Sequence, residues 1–371
     1  SVAQATSLRL EGVDERAVKK IAGSPPVLLS SDSELANHEV SPFVVDMEKN
    51  RKPTFRIYPA EEKGDNLPAG RNGLMNIVVV DRWGGTGTAE TAPGRDGFAD
   101  TVYAADQKGA IWKFDLRGTA SPTKPLFTTK TSVDGDGQTY RQPIMGGMTA
   151  TAGAAGGVML MFGTGSFSFS EDRQDTSVQS LYGFNDTSTT PDPDTLTSAN
   201  LRPITVTTVG ANRQVTLGTA PAGSRGWAVN LPAGERFVAN PTVTSGVVFM
   251  PTYVPKTGSS TEGCIVGGAN WLFGLNTSDG SAGLSQVRMG TPDGASPGAK
   301  TAGVPLDTGG SAPVKDVTTA VVPRLGAPEK DEANPPPTPP GTACMMQVSV
   351  AGAVPMYLPY PCGRQSWRQI K

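Results

Sequence analysis

The sequence predicts an all-β fold assembled from repeated multi-stranded units, and three observations carry that prediction. The 371 residues include 45 Gly and 32 Pro with an apolar fraction of 37%, a balance that favours many short strands joined by turns. The stretch Thr101-Val-Tyr-Ala-Ala-Asp-Gln-Lys-Gly-Ala-Ile-Trp-Lys-Phe-Asp-Leu116 reads as a hairpin, with β-branched and aromatic runs flanking the turn Asp106-Gln-Lys-Gly109. A pattern also recurs: Pro42-Phe-Val-Val-Asp46, Thr54-Phe-Arg-Ile-Tyr58 and Glu61-Glu-Lys-Gly64 are echoed by Ile77-Val-Val-Val-Asp-Arg82, Asp100-Thr-Val-Tyr103 and Asp106-Gln-Lys-Gly109. Units that repeat in this way, each unable to bury its faces alone, point to the blades of a β-propeller.

Taken in order, residues 1–40 hold the one helical signal. Val13, Ala17, Val18, Ile21 and Ala22 share a face over 13–22, and Gly23 followed by Ser-Pro-Pro stops the helix. This segment is read as helical and as continuing from an upstream domain, with 41–371 forming the β domain. The first residues lack the charged and apolar regions of a signal peptide, and the expectation is that a leader has been removed or that the chain is a piece of something longer. Further strands are expected at 157–163, 180–184, 237–243, 246–253 and 270–275, with Trp112, Trp227 and Trp271 packing between sheets. Two segments interrupt the pattern. Residues 186–222 read as an inserted hairpin or long loop, with apolar alternation from 206 to 215. Residues 280–341 read as a Gly/Ala/Pro-rich loop within the domain, ending in an extended proline-rich run at 323–340.

Composition also narrows function. A net charge of −2 with no basic run gives no electrostatic case for nucleic acid. No apolar run is long enough for a transmembrane helix. Cys264, Cys344 and Cys362 make an odd count, and a Cys344–Cys362 bridge and three free thiols both stay open. His38 is the only histidine, which argues against Ser-His-Asp, Cys-His and multi-histidine zinc sites. Gly84-Gly-Thr-Gly87 lacks the Gly-Lys-Ser/Thr ending of a phosphate loop.

Carboxylates offer the candidate site. Calcium takes six to eight oxygens, supplied by alternate loop positions around a glycine turn. Asp96, the Phe98 carbonyl and Asp100 fit the fifth, seventh and ninth positions around Gly97. Ala92 and Gly94 stand at the first and third without a side-chain oxygen. Asp81, at the end of the preceding strand, is placed to return as a replacement ligand, with Glu90 as another. A cation loop and a plain structural turn are both compatible with these residues. Asp134-Gly-Asp-Gly137 is read as a surface turn.

The run from Asp96 to Leu116 resembles the hallmark of the PilY-type type IV pilus biogenesis factors. The resemblance continues in order through Pro125-Leu-Phe127, Arg141-Gln-Pro-Ile144, Phe162-Gly-Thr-Gly165, Gln179-Ser-Leu-Tyr-Gly183, Gly226-Trp227, Gly234-Glu-Arg236, Asn240-Pro241, Gly267-Gly-Ala-Asn-Trp-Leu272 and Ser366-Trp-Arg-Gln-Ile370. It implies a modified β-propeller, non-enzymatic, forming the C-terminal domain of a larger adhesin. Such a protein caps the pilus tip with minor pilins, promotes extension against retraction in twitching motility and attaches to host or abiotic surfaces. The implied location is the bacterial cell surface, reached through the periplasm and outer membrane. The resemblance also implies a calcium loop that modulates extension, carried here by Asp96, the Phe98 carbonyl and Asp100. Two other readings stand beside it. The tryptophan hairpins also resemble repeats of pyrroloquinoline-quinone dehydrogenases, and a generic propeller docking platform would share the scaffold. Loops 170–176, 186–222 and 280–341 are the expected recognition elements.

Overall fold

The structure is a computed structural model that describes residues 73–84, 92–93, 99–116, 122–133, 139–169, 171–190, 193–256, 267–292, 300–309, 312–323 and 344–360, together with the backbone of 3–5, 27–30, 42–46 and 54–57. The expected helix at 13–22, Asp96, Phe98, the 134–137 turn and the run from 324 to 340 lie outside the described residues.

Among the described residues, four antiparallel units of four strands follow one another. Blade I comprises Leu74–Val80, Thr101–Asp106, Ala110–Asp115 and Phe127–Thr128; blade II comprises Met148–Ala152, Val158–Gly163, Ser180–Asp186 and Gly226–Asn230. Blade III comprises Thr242–Thr244, Val247–Pro255, Gly268–Asn276 and Gly303–Leu306. Blade IV comprises Val317–Pro323, Cys344–Val350 and Met356–Tyr360, with Arg288–Met289 as its outermost strand. The first strands of successive blades lie side by side, as the inner ring of a propeller requires. Upstream, Val27–Ser30, Pro42–Asp46 and Thr54–Ile57 form a three-stranded sheet, and Ala3–Ala5 pairs with Leu74–Val80.

Strand alternation explains why the blades stack. Successive side chains in a strand point to opposite faces. Tyr103 and Ala105 therefore enter the core between blades I and II with Phe127, Phe162, Tyr182 and Phe184, while Val102 and Ala104 join Trp112 and Phe114 on the other face. In blade II, Leu160 and Phe162 face blade I, whereas Met159 and Met161 face blade III with Trp227, Val248 and Phe273. A third seam joins Phe249 and Leu272 to Met346, Val348 and Met356. Strands buried on both faces read as continuous apolar runs, which is the pattern at Val158–Gly163. In the first seam Phe127 stacks on Phe184 at 4.7 Å and meets Phe162 edge-on at 5.7 Å.

The connections differ from the sequence expectation. Residues 186–222 do hold a hairpin, Arg202–Val209 with Asn212–Leu217, but it is not free. Arg202–Val209 runs parallel to Gly226–Asn230 of blade II, and Arg213 pairs with Gly303 of blade III, so one ten-stranded sheet joins both blades. Leu196–Thr197, from the same connection, pairs in parallel with Phe127–Thr128 of blade I. Likewise 280–341 is not one loop. It contributes the outer strand of blade IV, the outer strand of blade III and the first strand of blade IV in that order, so blades III and IV interleave. The expected 237–243 strand is a single Arg236–Tyr253 bridge followed by Thr242–Thr244. Cys344 is disulfide-bonded to a cysteine outside the described residues.

The hairpin turn of blade I forms as its sequence dictates. Gly109 has a φ of +78°, its N–H reaches the Asp106 carbonyl at 3.2 Å, and the Asp106 carboxylate accepts from Ala110 N and Trp112 Nε1, both at 2.8 Å. A Cβ at Gly109 would press on Thr129 Oγ1 and stand 2.5 Å from the Gln142 carbonyl. Gly109→Ala is therefore expected to cost about 1–3 kcal/mol, from left-handed strain and overpacking together. A lowered urea midpoint checks it, and an unchanged one would show that the turn yields freely.

Candidate functional site

Asp100, the last ligand of the expected cation loop, is buried where blade I begins its second strand. Its Oδ2 accepts from the amides of Arg82 at 3.0 Å and Trp83 at 2.7 Å, and its Oδ1 from Thr101 Oγ1 at 2.6 Å. The carboxylate thus ties the end of one strand to the start of the next. Burial raises the Asp100 carboxyl despite these hydrogen bonds, and the nearby Asp81 charge adds to the rise. Asp81 and Asp100 are therefore electrostatic neighbours. Ala92 pairs with Gly84 in a two-residue ladder that closes the intervening loop. Among the described residues no cluster of three or more Asp, Glu, His or Cys converges.

A second constellation was not foreseen. Asp186, at the end of a blade II strand, meets Arg82 Nη1 at 2.7 Å and Lys113 Nζ at 2.9 Å, with all three side chains at most 3% exposed. Tyr103 donates to the same carboxylate at 2.7 Å, and Arg82 Nη2 reaches the Asp186 carbonyl at 3.1 Å. Lys113 Nζ also donates to the carbonyls of Ser188 and Thr190, folding the departing chain around its ammonium. Burial pushes the Asp186 carboxyl up, but the Lys113 and Arg82 charges outweigh it and hold the group below the usual carboxylate range. Burial also lowers Lys113 and raises the Tyr103 hydroxyl well above its ordinary value. The cluster is an electrostatic lock across the seam of blades I and II. Its sequence signal was Lys113 between two buried aromatics, Trp112 and Phe114, since a charge inside a buried strand needs a partner.

The Gly234-Glu-Arg236 motif supplies two further anchors. Glu235 is fully buried and accepts from Thr252 Oγ1 at 2.5 Å and Arg213 Nη2 at 2.9 Å. Burial raises its carboxyl against both partners. Arg213 stacks on Trp271 at 4.0 Å and so clamps the inserted hairpin to blade III. Arg236 is 2% exposed and turns its guanidinium on backbone carbonyls: Ser166 at 3.0 Å, Asp175 at 2.6 Å, Gly234, and Asp172. Residues 171–176, from the loop expected to be a display element, are thus organised around a buried cation. Asp172 reinforces it by accepting from Ser166 Oγ, Ser168 N and Phe169 N, and Phe169 is left 60% exposed at the surface.

Other motif residues prove to be scaffold. Gln142 donates to the Val178 carbonyl and Ser180 Oγ and accepts from the buried Tyr182 hydroxyl, which burial pushes up to about 12. Gly183 is opposite Trp227, and a Cβ there would enter the indole. Face-packed blades, outer strands exchanged between neighbours and charge-locked seams define a β-propeller-like domain.

The same fold occurs in the solved C-terminal domain of Pseudomonas aeruginosa PilY1, with a TM-score of 0.56 at 18% identity, covering 91% of this chain and 69% of that one. A type IV pilus biogenesis factor PilY1 homolog of Xylella fastidiosa (strain Temecula1 / ATCC 700964) is 32% identical over 342 residues, 83% of this chain and 22% of that protein. The type IV pilus biogenesis factor PilY1 of Pseudomonas aeruginosa (strain UCBPP-PA14) is 28% identical over 239 residues, 49% of this chain and 20% of that protein. No family model matches. The chain is homologous to a part of the PilY1-type type IV pilus biogenesis factors, the family its motifs resemble, and spans about a fifth of the length of these curated relatives.

Proposed function

We propose that this chain is a non-enzymatic assembly domain of a type IV pilus biogenesis factor, acting at the pilus tip through contacts with minor pilins and supporting extension and surface attachment. The observation that carries this reading is the 32% identity over 83% of the chain. The scaffold suits the role, because locked blades hold exposed loops rigidly for protein contact. Co-elution of the purified chain with purified minor pilins tests it. Absence of any complex between folded partners would favour a generic docking platform. Reduction of a redox dye by the chain with added pyrroloquinoline quinone and an alcohol or sugar would overturn the non-enzymatic reading.

Calcium modulation belongs to the same proposal. Asp100 would offer Oδ1 to the ion, since Oδ2 already takes two amide hydrogens, with Asp81 beside it and Asp96 and the Phe98 carbonyl from the loop. The ion would draw the loop against the strand end. Asp96→Ala is expected to lower the melting temperature in calcium and to leave it unchanged in chelator. Asp100→Ala is expected to lower it in both, because three hydrogen bonds within the protein are lost as well. Equal melting of wild type and Asp96→Ala in calcium would remove the ion from the account.

A further inference from the structure

Where the chain leaves blade II at Asp186 and crosses to the outer edge of blade I, it leaves a cleft of about 370 Å³, within the size range of small-ligand sites. Leu126, Pro193 and Leu196 give it an apolar side, while Thr187, Asp194 and Arg225 are on its polar side.

The charges of this cleft are unequal. Asp186 is committed to Arg82 and Lys113 inside the seam. Asp194 is fully exposed and pairs with Lys124 at 2.9 Å. Arg225 is half-buried, and among the described residues its guanidinium meets a hydroxyl, Thr187 Oγ1, and no carboxylate. None of its nitrogens is sealed in the core without a partner. A guanidinium next to a strand start, with donors to spare and both local carboxylates already paired with other cations, suits a planar anion bound by its fork.

The geometry points to this cleft as a binding site for a peptide carboxylate, whether a terminal carboxylate or an acidic side chain, with its charge on Arg225 and its adjoining apolar group on Leu126, Pro193 and Leu196. A peptide is favoured over an acidic sugar because no aromatic ring is among the described lining residues, so a sugar ring would find no stacking face.

Threonine-methyl NMR on the whole protein tests it, with the methyls of Thr187 and Thr190 as reporters. A millimolar titration of N-acetyl-leucine is expected to shift both saturably, and N-acetyl-leucinamide to bind at least roughly tenfold more weakly. Arg225→Gln is expected to weaken N-acetyl-leucine to a similar degree while threonine methyls elsewhere keep their positions, which shows the variant folded. Equal shifts from acid and amide, unchanged affinity in Arg225→Gln, or no saturable shift would each overturn the proposal. Tighter binding of glucuronate than of N-acetyl-leucine would assign the cleft to acidic saccharides and overturn the peptide.

Discussion

Asp186→Ala is expected to lower stability by about 3–5 kcal/mol, the cost of removing one member of a buried ion pair. The substitution deletes the partner of Arg82 and Lys113, which are 2% and 3% exposed, and leaves both cations facing an apolar seam. It also takes away the acceptor of Tyr103 Oη and the turn that binds Ser188 N. The effect should concentrate between blades I and II, read as lost hydrogen-exchange protection in Thr101–Asp106 and Ser180–Asp186. Asp186→Asn keeps the shape and should retain the fold at reduced stability. The same pair yields a pH test. A carboxyl held below its ordinary value contributes stability that is complete above the unfolded pKa and is lost as pH falls through the folded one. Wild type minus Asp186→Asn should therefore show an advantage at neutral pH that shrinks below about pH 4. Taking the difference matters because Asp100 and Glu235 are shifted upward, and their burial penalties ease as pH falls. A difference that is flat with pH would mean that Asp186 is not the anchor of the seam.

Arg236→Met is expected to release the 166–177 loop and to lower global stability by about 3 kcal/mol or more. Hydrogen bonds to charged groups contribute roughly 1.5–3 kcal/mol each, and buried acceptors left unmatched add their desolvation cost. Methionine preserves much of the side-chain volume, so the loss isolates the bonds to Ser166, Asp172, Asp175 and Gly234. Hydrogen exchange across 166–177 should accelerate by orders of magnitude, with the bridge partner Tyr253 affected next. Arg236→Lys should fall between, since an ammonium keeps the charge but cannot span the same set of carbonyls. Unchanged loop protection in Arg236→Met would assign the loop's order to the Asp172 hydrogen bonds instead.

Local pattern was legible where the physics is local. The Asp106 to Gly109 turn follows from a left-handed glycine and a short carboxylate that bonds neighbouring amides. Alternation around Val206 and Val215 left a hairpin and a long loop open, and the hairpin is what forms. The strand at Arg288–Met289 has only two residues, too few for any period, and the Gly/Pro-rich composition around it disguised three strands as loop. The motifs that carried the resemblance, among them Gln142, Gly183, Trp227, Glu235 and Arg236, are largely buried scaffold, so they reported the fold more directly than any binding surface.

Short-range pattern was enough to show that the protein is β-rich, that it repeats multi-stranded units unable to bury their faces alone, where its tightest hairpin turns, and which family it resembles, because each of these is written in runs of residues close together in sequence. How the blades are tied is set by contacts between distant segments. Arg82 and Asp186 are 104 positions apart, and the strand exchanges join segments whose pairing no local pattern encodes. Such contacts form because a buried charge or an open strand edge must find a partner somewhere, and proximity in sequence does not choose which.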